Sequence, residues 1–348
     1  MDNLIFSLNA TLPIFFTMLL GSFFKRVGLI DESFSAKMNK FAFAVALPAL
    51  LFQDISAVDI RESWNGGFVL FCFIATFLSI TGVTVLSFFV VKREERGEFV
   101  QGAYRSSAAI LGIAFIQNIY GTSGMAPLMI IGTVPLYNAF AVIVLSLLKP
   151  GQRKMDKALL QKTLKGIVTN PIILGIAAGF VWAILKIPQP EILQKTVKNM
   201  AVLATPLGLM AMGASFEGKK ALGKLKPTLI ASALKLVVLA AIFLPIAVRL
   251  GYRESELVAI LVMLGSATTV SSFVMARNMG HEGVLTSSIV MVTTLCSAFT
   301  LTGWLFLLPM TFGICVFTLV PIIQSLWYSF YDYDVGSKFE FVGIGNYA

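Results

Sequence analysis

Pro13-Ile14-Phe15-Phe16-Thr17-Met18-Leu19-Leu20-Gly21 has a counterpart 158 residues later, Pro171-Ile172-Ile173-Leu174-Gly175-Ile176-Ala177-Ala178-Gly179. In both stretches a proline opens an apolar run and a glycine follows eight residues on. A second pair of prolines, Pro48 and Pro206, repeats the same offset inside apolar runs. Prolines in corresponding positions of two halves predict helix breaks at all four places, and such internal repeats are typical of secondary transporters.

The composition indicates a membrane protein. Of the 348 residues, 57% are hydrophobic and 13% are charged, whereas soluble domains carry about 25% charged residues. The formal charge of +9 does not indicate nucleic-acid binding, because the lysines and arginines cluster between apolar segments. Cys72, Cys296 and Cys315 lack paired spacing, and we find no motif for a metal, a cofactor or catalysis. We therefore expect neither an enzyme nor a cofactor-binding protein.

Ten apolar segments are long enough to cross a bilayer, which takes about 20 residues. They lie at 4–24, 39–57, 67–91, 104–120, 125–148, 166–186, 198–216, 227–250, 256–278 and 284–308. The expected fold is an all-α polytopic membrane protein with two five-helix repeats, 1–148 and 166–308, joined by a basic loop at 149–165. Because five is an odd number, the second repeat enters the membrane from the opposite side, and the repeat is inverted.

Loops on alternate sides of the predicted bundle differ in charge. Counted together with the last two residues of each adjoining segment end, those after the odd-numbered segments hold 19 lysines and arginines, and those after the even-numbered segments hold 6. The positive-inside rule then predicts a multi-pass protein of the cell membrane, with its N-terminus outside and loop 149–165 in the cytoplasm. The first span lacks a preceding basic region, which favours an uncleaved helix over a signal peptide.

The fourth and ninth segments are unusually rich in small and hydroxyl residues. The fourth contains Gly112-Ile113-Ala114 and the ninth contains Gly265-Ser266-Ala267. Such residues either permit close helix packing or give a pliable backbone at a broken helix. Their matched places in two repeats favour the second interpretation, so we predict that these two helices cross at broken points beside the substrate.

Six motifs follow one another in the chain: Phe43–Phe52, Tyr104–Ser107, Pro135–Asn138, Asn170–Gly175, Thr205–Gly213 and Val270–Ala276. As a set they resemble the auxin efflux carrier family, the bacterial relatives of the plant PIN transporters, over residues 1–307. The resemblance implies two inverted five-helix repeats, with a scaffold part and a transport part. It also implies a secondary carrier that moves a small organic anion such as malonate, malate or an auxin-like acid. Coupling to protons or to the membrane potential is compatible with it, as is a homodimer.

The chain departs from this family in two places. The family usually has a proline at each crossover break, near Ala114 and near Ala267, and often Arg-Ser-Asn where this chain has Arg105-Ser106-Ser107. Gly112 and Gly265 are then expected to carry the breaks alone. Since a lost proline restores a backbone N–H and removes a ring clash, the two helices are expected to be more continuous here.

A broken helix presents free N–H groups and partial positive charge, which suit a carboxylate. Further candidates are polar side chains near the breaks and in the spans, for each of which an ordinary interhelical hydrogen bond is the alternative. The predicted substrate-binding residues are Ser107, Gly112, Ile113, Ala114, Gln117, Asn118, Asn138, Asn170, Gly265, Ala267, Thr268, Thr269 and Ser271.

Of three ionisable residues, Lys235 and Asp54 each have two or more possible roles. Lys235 is the one charge expected deep in a span. It is a counter-charge to the anion, a partner of a carboxylate, or a lysine that snorkels to the cytoplasm. Asp54, at the outer end of the second span, is either a proton-coupling carboxylate or a solvated loop acid. His281 is expected to be solvated in a cytoplasmic turn.

From about residue 306 the sequence changes character. Val316–Leu326, Ser329–Tyr333 and Phe341–Tyr347 resemble the start of a sugar-type ABC transporter permease, without the part that would dock on an ATPase. We interpret 309–348 as a fusion, a frameshift or an assembly join, with a genuine eleventh helix as the alternative. The rival functions are an ABC permease subunit, which requires ATP, and a sodium-coupled inverted-repeat symporter, which paired mid-membrane acids would favour.

Overall fold

The computed structural model describes residues 2–57, 64–121, 124–151, 157–314, 320–332, 340–341, 343 and 345. It divides into two compact units, Met1–Leu301 and Thr302–Ala348. The helices that lie in or begin in the first unit are α1 Asp2–Arg26, α2 Glu32–Phe41, α3 Leu47–Ser56, α4 Gly66–Val90, α5 Arg96–Tyr104, α6 Ala108–Tyr120, α7 Ala126–Leu147, α8 Lys157–Val168, α9 Pro171–Leu185, α10 Glu191–Val202, α11 Ala204–Ala214, α12 Gly218–Gly223, α13 Leu225–Ala233, α14 Leu239–Arg249, α15 Glu254–Gly265, α16 Ser271–Asn278 and α17 Val284–Ile314.

Short irregular helices connect some of these elements. The π-helical segment Ala42–Ala46 joins α2 to α3, and the π-helical segment Leu234–Val238 joins α13 to α14. A 3-10 turn, Arg93–Glu95, precedes α5. In the second unit, α18 (Val320–Tyr328) is followed by two-residue strands β1 (Tyr331–Asp332) and β2 (Glu340–Phe341), which pair antiparallel.

Each of the ten predicted apolar segments falls on one or two of these helices. Within the described residues, six stretches are long and apolar enough to cross a membrane: Glu32–Ser56, Gly66–Val90, Ala126–Leu147, Glu191–Ala214, Leu225–Arg249 and Val284–Leu305. The helix α9 is apolar but shorter. Within its described part the first unit contains helices and no strands, as predicted, and the six apolar stretches fit a multi-pass membrane protein.

Two of the four predicted proline breaks are absent. α1 continues through Pro13, where the Thr17 hydroxyl donates to the Pro13 carbonyl at 2.8 Å. At Pro48 the chain stays helical from Glu32 to Ser56, because the π-helical segment Ala42–Ala46 widens the turn before the proline. One missing N–H does not end a membrane helix when local hydrogen bonds adjust around it.

The other two prolines lie at helix starts. Pro171 is the first residue of α9, and the Asn170 side chain caps that helix by accepting the Ile172 N–H at 3.0 Å. Pro206 lies in the first turn of α11, just after α10 ends at Val202. A proline fits the first turn, because the N–H that it lacks has no intrahelical partner there.

Two close helix contacts are related by the 158-residue offset. α1 packs against α11 and α3 packs against α9. A Cβ added to Gly21 would meet the backbone of Met210, and one added to Gly179 would lie 3.3 Å from the Cα of Phe52. Gly179 and Met210 are the residues 158 positions after Gly21 and Phe52. Residues 158 positions apart thus make equivalent close contacts, with glycine allowing the approach.

The start of α17 is held by a buried carboxylate on α5. Glu98 accepts hydrogen bonds from the backbone N–H of Gly283 and of Thr286, both at 2.9 Å, and from the Thr286 hydroxyl at 3.0 Å. These N–H groups have no partner inside the helix, and the negative charge faces the positive end of the α17 dipole. Glu98 therefore fixes α5 to α17.

Replacing Glu98 by glutamine is expected to lower the free energy of unfolding by about 1–3 kcal/mol, because an amide NH₂ would face donors that now meet an oxygen. Thermal unfolding of the purified full chain in detergent measures the change. Glu94→Gln is the matched control, since Glu94 is exposed in the preceding turn. Equal unfolding temperatures of the two variants would contradict this role of Glu98.

His281, between α16 and α17, is buried, contrary to the expectation that it is solvated. Its side chain is 4% exposed, and Nε2–H donates to the Leu145 carbonyl at 2.9 Å. The ring also packs over Gly97, where an added Cβ would lie 2.6 Å from Cε1. Burial lowers the pKa of His281 below its usual 6.5, outweighing the influence of Glu98, which raises it.

Stability is therefore expected to fall as the pH decreases below 6.5. The unfolded chain takes up a proton on His281 before the folded protein does, so acid favours unfolding by at most about 1.4 kcal/mol per pH unit. The loss is expected to level off once the pH is below the folded pKa. Unfolding temperatures between pH 7.5 and 5.5 test this, and His281→Gln is expected to flatten the profile. An unchanged slope in that variant would assign the effect to other groups.

Candidate functional site

Two helix breaks meet in the middle of the first unit. α5 ends at Tyr104 and α6 begins at Ala108, whereas α15 ends at Gly265 and α16 begins at Ser271. The backbone N–H of Ser107 donates to the Ala267 carbonyl at 2.9 Å, which joins the two breaks directly. Two expectations are corrected here. The breaks form without the family's prolines, and the break of the fourth helix lies at Arg105–Ser107 and not at Gly112.

The polar residues of the first break explain its position. The Ser106 hydroxyl donates to the Met263 carbonyl in the last turn of α15, and Ser107 makes the backbone contact with Ala267. These bonds to another element replace the helical ones that are lost. Glycine costs only about 1 kcal/mol within a helix, so Gly112, Ile113 and Ala114 lie within α6.

Arg105 is buried at the first break, with 1% of its surface exposed. Its Nη2 donates to Asn138 Oδ1 at 2.7 Å and to Ser271 Oγ at 2.8 Å, and Nη1 contacts Met275 Sδ at 2.9 Å. Nε has no hydrogen-bond partner among the described residues. The guanidinium thus links α7 and α16 across the break through neutral groups.

A buried guanidinium normally has a carboxylate partner. Within the described residues, no aspartate or glutamate lies within ion-pair distance of Arg105. The nearby tyrosines do not compensate its charge, because the Tyr137 hydroxyl donates to the Met263 carbonyl at 2.7 Å and the Tyr104 hydroxyl to the Tyr137 carbonyl at 3.1 Å. The positive charge of Arg105 is therefore available to an anion.

Arg105 lines a small cleft of about 60 Å³. It is smaller than the sites of drug-sized ligands, about 300–1,000 Å³. Both breaks, α3, α7 and the start of α11 contribute to its wall: Leu47, Leu50, Leu51, Asp54, Arg105, Ser106, Ser107, Ala108, Val134, Tyr137, Asn138, Ala204, Thr205, Thr269, Val270 and Ser271. Most of its polar groups belong to the breaks and α7, and α3 contributes three leucines together with Asp54.

Five of the sequence-predicted residues meet in this cleft: Ser107, Asn138, Thr269, Ser271 and Asp54. The Thr269 and Ser271 hydroxyls are 3.2 Å apart and Asn138 is held by the Val134 carbonyl at 2.9 Å. Asp54 is half-buried and belongs to α3, so it is not a loop residue. One carboxylate and one guanidinium therefore share the cleft.

Other predicted residues lie elsewhere. Gln117 and Asn118 are exposed on α6, Asn170 is the N-cap of α9, and Gly265 ends α15. The Thr268 hydroxyl donates to the Gly102 carbonyl at 2.7 Å, and its N–H donates to Thr293 Oγ1 at 3.1 Å. Thr268 thus anchors the second break to α5 and α17 and does not face the cleft.

Lys235 is fully buried, so the snorkelling interpretation is wrong. Its Nζ donates to the Leu264 carbonyl at 2.5 Å and to the Met263 carbonyl at 3.5 Å. The sequence suggested that Lys235 is the one deeply buried charge. That expectation is wrong, because Arg105 and Glu98 are buried as well. Arg105 lies at the start of the fourth predicted segment and was counted with the charges of the loop before it.

Sequence reasoning missed Arg105, Ser106 and Tyr137 as site residues. A signal was present, since Arg105 opens a predicted span and is followed by two serines. A charge beside small hydroxyl residues at a span end also fits an ordinary membrane boundary. Only the helix break after Tyr104 distinguishes a site residue from such a boundary residue.

Comparison with known proteins agrees with a transport role. The family model described as "Membrane transport protein" matches residues 6–305. A Rhizobium meliloti (strain 1021) protein named "Putative malonate transporter" is 27% identical over 308 residues, covering 85% of this chain and 94% of that protein. The family match includes both helix breaks and every residue that lines the cleft.

Proposed function

Because the chain belongs to the membrane transport protein family, we propose that it is a secondary active carrier for a small organic anion. The anion binds in the cleft between the two breaks, and a dicarboxylate of the size of malonate is the favoured substrate. The name of the Rhizobium relative supports malonate. The chemistry is binding and release, without covalent steps.

The observation that carries this proposal is the Arg105 guanidinium. A buried positive charge without a carboxylate is costly unless another anion completes the site. A guanidinium holds a carboxylate with parallel hydrogen bonds, and the Ser107, Thr269 and Ser271 hydroxyls of the cleft supply further donors. A substrate carboxylate in the cleft would neutralise the charge that the protein leaves uncompensated.

Asp54 gives the same cleft a means of proton coupling. An ionised carboxylate repels a bound anion, whereas a protonated one does not, so proton binding and anion binding favour each other. We propose that the substrate enters together with a proton on Asp54. A pH gradient would then drive transport.

We further propose the inverted-repeat architecture, with repeats at 1–148 and 166–308, loop 149–165 in the cytoplasm and the N-terminus outside. The exchanged contacts Gly21–Met210 and Gly179–Phe52 support it, because residues 158 positions apart make equivalent contacts. Leu47 and Thr205, which both line the cleft, are also 158 positions apart. Such a repeat lets one part move against the other around a central site, giving alternating access.

Flux into proteoliposomes tests the function. The purified full chain is reconstituted and offered malonate, malate, succinate and indole acetate, with and without an imposed pH gradient. Saturable uptake of a dicarboxylate that is accelerated by the gradient is expected, without ATP. Absence of flux for every organic acid, or flux that appears only with ATP and a nucleotide-binding subunit, would overturn the proposal in favour of the permease alternative.

A further inference from the structure

Lys235 occupies an unusual place for a lysine. It lies in the π-helical segment Leu234–Val238 with none of its surface exposed. Its Nζ contacts the carbonyl oxygens of Met263 and Leu264, in the last turn of α15. Carbonyls of a last helical turn lack intrahelical N–H partners and form the negative end of the helix dipole. The ammonium therefore sits where a broken helix attracts a cation.

Two carbonyl oxygens contact the ammonium. Ser266, two residues after Leu264, and Ser232, one turn before Lys235, have buried hydroxyls without a hydrogen-bond partner in the described part of the chain, so neither hydroxyl bonds Lys235. Carbonyl ends of half-helices and unwound backbone are the groups with which membrane carriers bind Na⁺. Within the described residues, no carboxylate forms an ion pair with Lys235. The two neutral carbonyl oxygens thus suit a single monovalent cation.

This end of α15 is connected to the proposed anion site. The Met263 carbonyl that Lys235 approaches also accepts hydrogen bonds from the Ser106 hydroxyl and from the Tyr137 hydroxyl. Ser106 adjoins Arg105, and both line the cleft. The positive charge of Lys235 therefore holds the end of α15 in position. Through the hydrogen bond from Ser106 to Met263, it also positions the backbone next to Arg105.

We propose that the Lys235 ammonium is a built-in cation at the C-terminal end of α15, occupying the place that a free Na⁺ would otherwise take. Anion binding and transport then need no Na⁺. Lys235 is a positioning residue for the cleft and does not itself contact the substrate. The effect of Lys235 on malonate transport rests on the proposed function. The placement of its ammonium at the end of α15, where it replaces a free cation, does not.

The response of folding stability to cations tests the inference. Thermal unfolding of the purified full chain is measured in choline chloride and in increasing NaCl or ethylammonium chloride at constant ionic strength. The wild type is expected to show no cation-specific shift. Lys235→Ala is expected to unfold several degrees lower in choline and to be stabilised saturably by Na⁺ or ethylammonium, as ligand linkage requires. Lys226→Ala, at an exposed lysine in α13, is the matched control and should behave as the wild type.

Malonate flux supplies the second readout. Wild-type flux is expected to be equal in Na⁺ and choline buffers, and Lys235→Ala is expected to lose about tenfold or more of it in choline, with partial recovery in Na⁺. A saturable Na⁺ effect on wild-type stability or flux would overturn the inference. So would a cation response of Lys235→Ala no larger than that of Lys226→Ala.

These outcomes separate the two proposals. If the wild type carries no organic anion, the proposed function fails, and the cation dependence of unfolding still decides the role of Lys235. If Lys235→Ala does not fold, Lys235→Met is used in its place, because its unbranched side chain fills most of the same space. If neither variant folds, wild-type stability and flux in Na⁺ and choline decide the matter.

Discussion

Arg105→Gln is expected to reduce malonate uptake into proteoliposomes by about 100-fold or more, because removing one partner of a buried, hydrogen-bonded charge pair costs about 2–5 kcal/mol. Glutamine keeps one donor for Asn138 or Ser271 but removes the positive charge that the described residues leave without a carboxylate. The loss is expected in both apparent affinity and maximal rate, since an anion that binds poorly also fails to organise the two breaks.

Two further variants sharpen this experiment. Arg105→Lys keeps the charge but loses the planar fork, so it is expected to retain more activity than Arg105→Gln and less than wild type. Arg249→Gln is the control, since Arg249 is exposed in the last turn of α14 and does not line the cleft. Near-normal uptake by a folded Arg105→Gln protein would remove the basis of the proposed anion site.

Gly213→Ala is expected to lower the free energy of unfolding by about 3 kcal/mol, at the upper end of the cost of overpacking a core. A Cβ at this position of α11 would collide with the backbone carbonyl of Met18 on α1. Gly175→Ala on α9 should have a similar effect, because its Cβ would lie 2.7 Å from the Pro48 carbonyl oxygen. In both cases backbone faces backbone, so no side-chain rotation relieves the contact.

Gly82→Ala is the matched control for these substitutions. Gly82 lies on α4 with no atom within 4 Å of an added Cβ. Alanine forms helix better than glycine by about 1 kcal/mol, so this variant should be as stable as the wild type or more stable. Unfolding temperatures of the three proteins in the same detergent measure the difference. Equal stability of Gly213→Ala and Gly82→Ala would show that α1 and α11 do not approach this closely.

The site was only partly predictable from the sequence. The crossing of two small-residue helices was expected, and Ser107, Asn138, Thr269, Ser271 and Asp54 all lie in one cleft. The position of the first break was not predicted. The sequence pairs Gly112 with Gly265, whereas the break lies at Arg105–Ser107, five to seven residues before Gly112. Hydrogen bonds from Ser106 and Ser107 to Met263 and Ala267 stabilise it there. Those partners are about 160 positions away in the chain and leave no local signal.

Membrane character, helix content and family membership follow from the sequence by itself, because they depend on the length and hydropathy of local segments. The 158-residue offset of prolines and glycines likewise relates Gly21 to Gly179, which make equivalent close contacts. The roles of individual polar residues depend on the tertiary structure. Pro13 lies in a continuous helix, Lys235 binds the carbonyls of α15, and Arg105 remains without a carboxylate in the described structure. What a buried polar group does depends on which distant group satisfies it, and only the packing of the helices decides that.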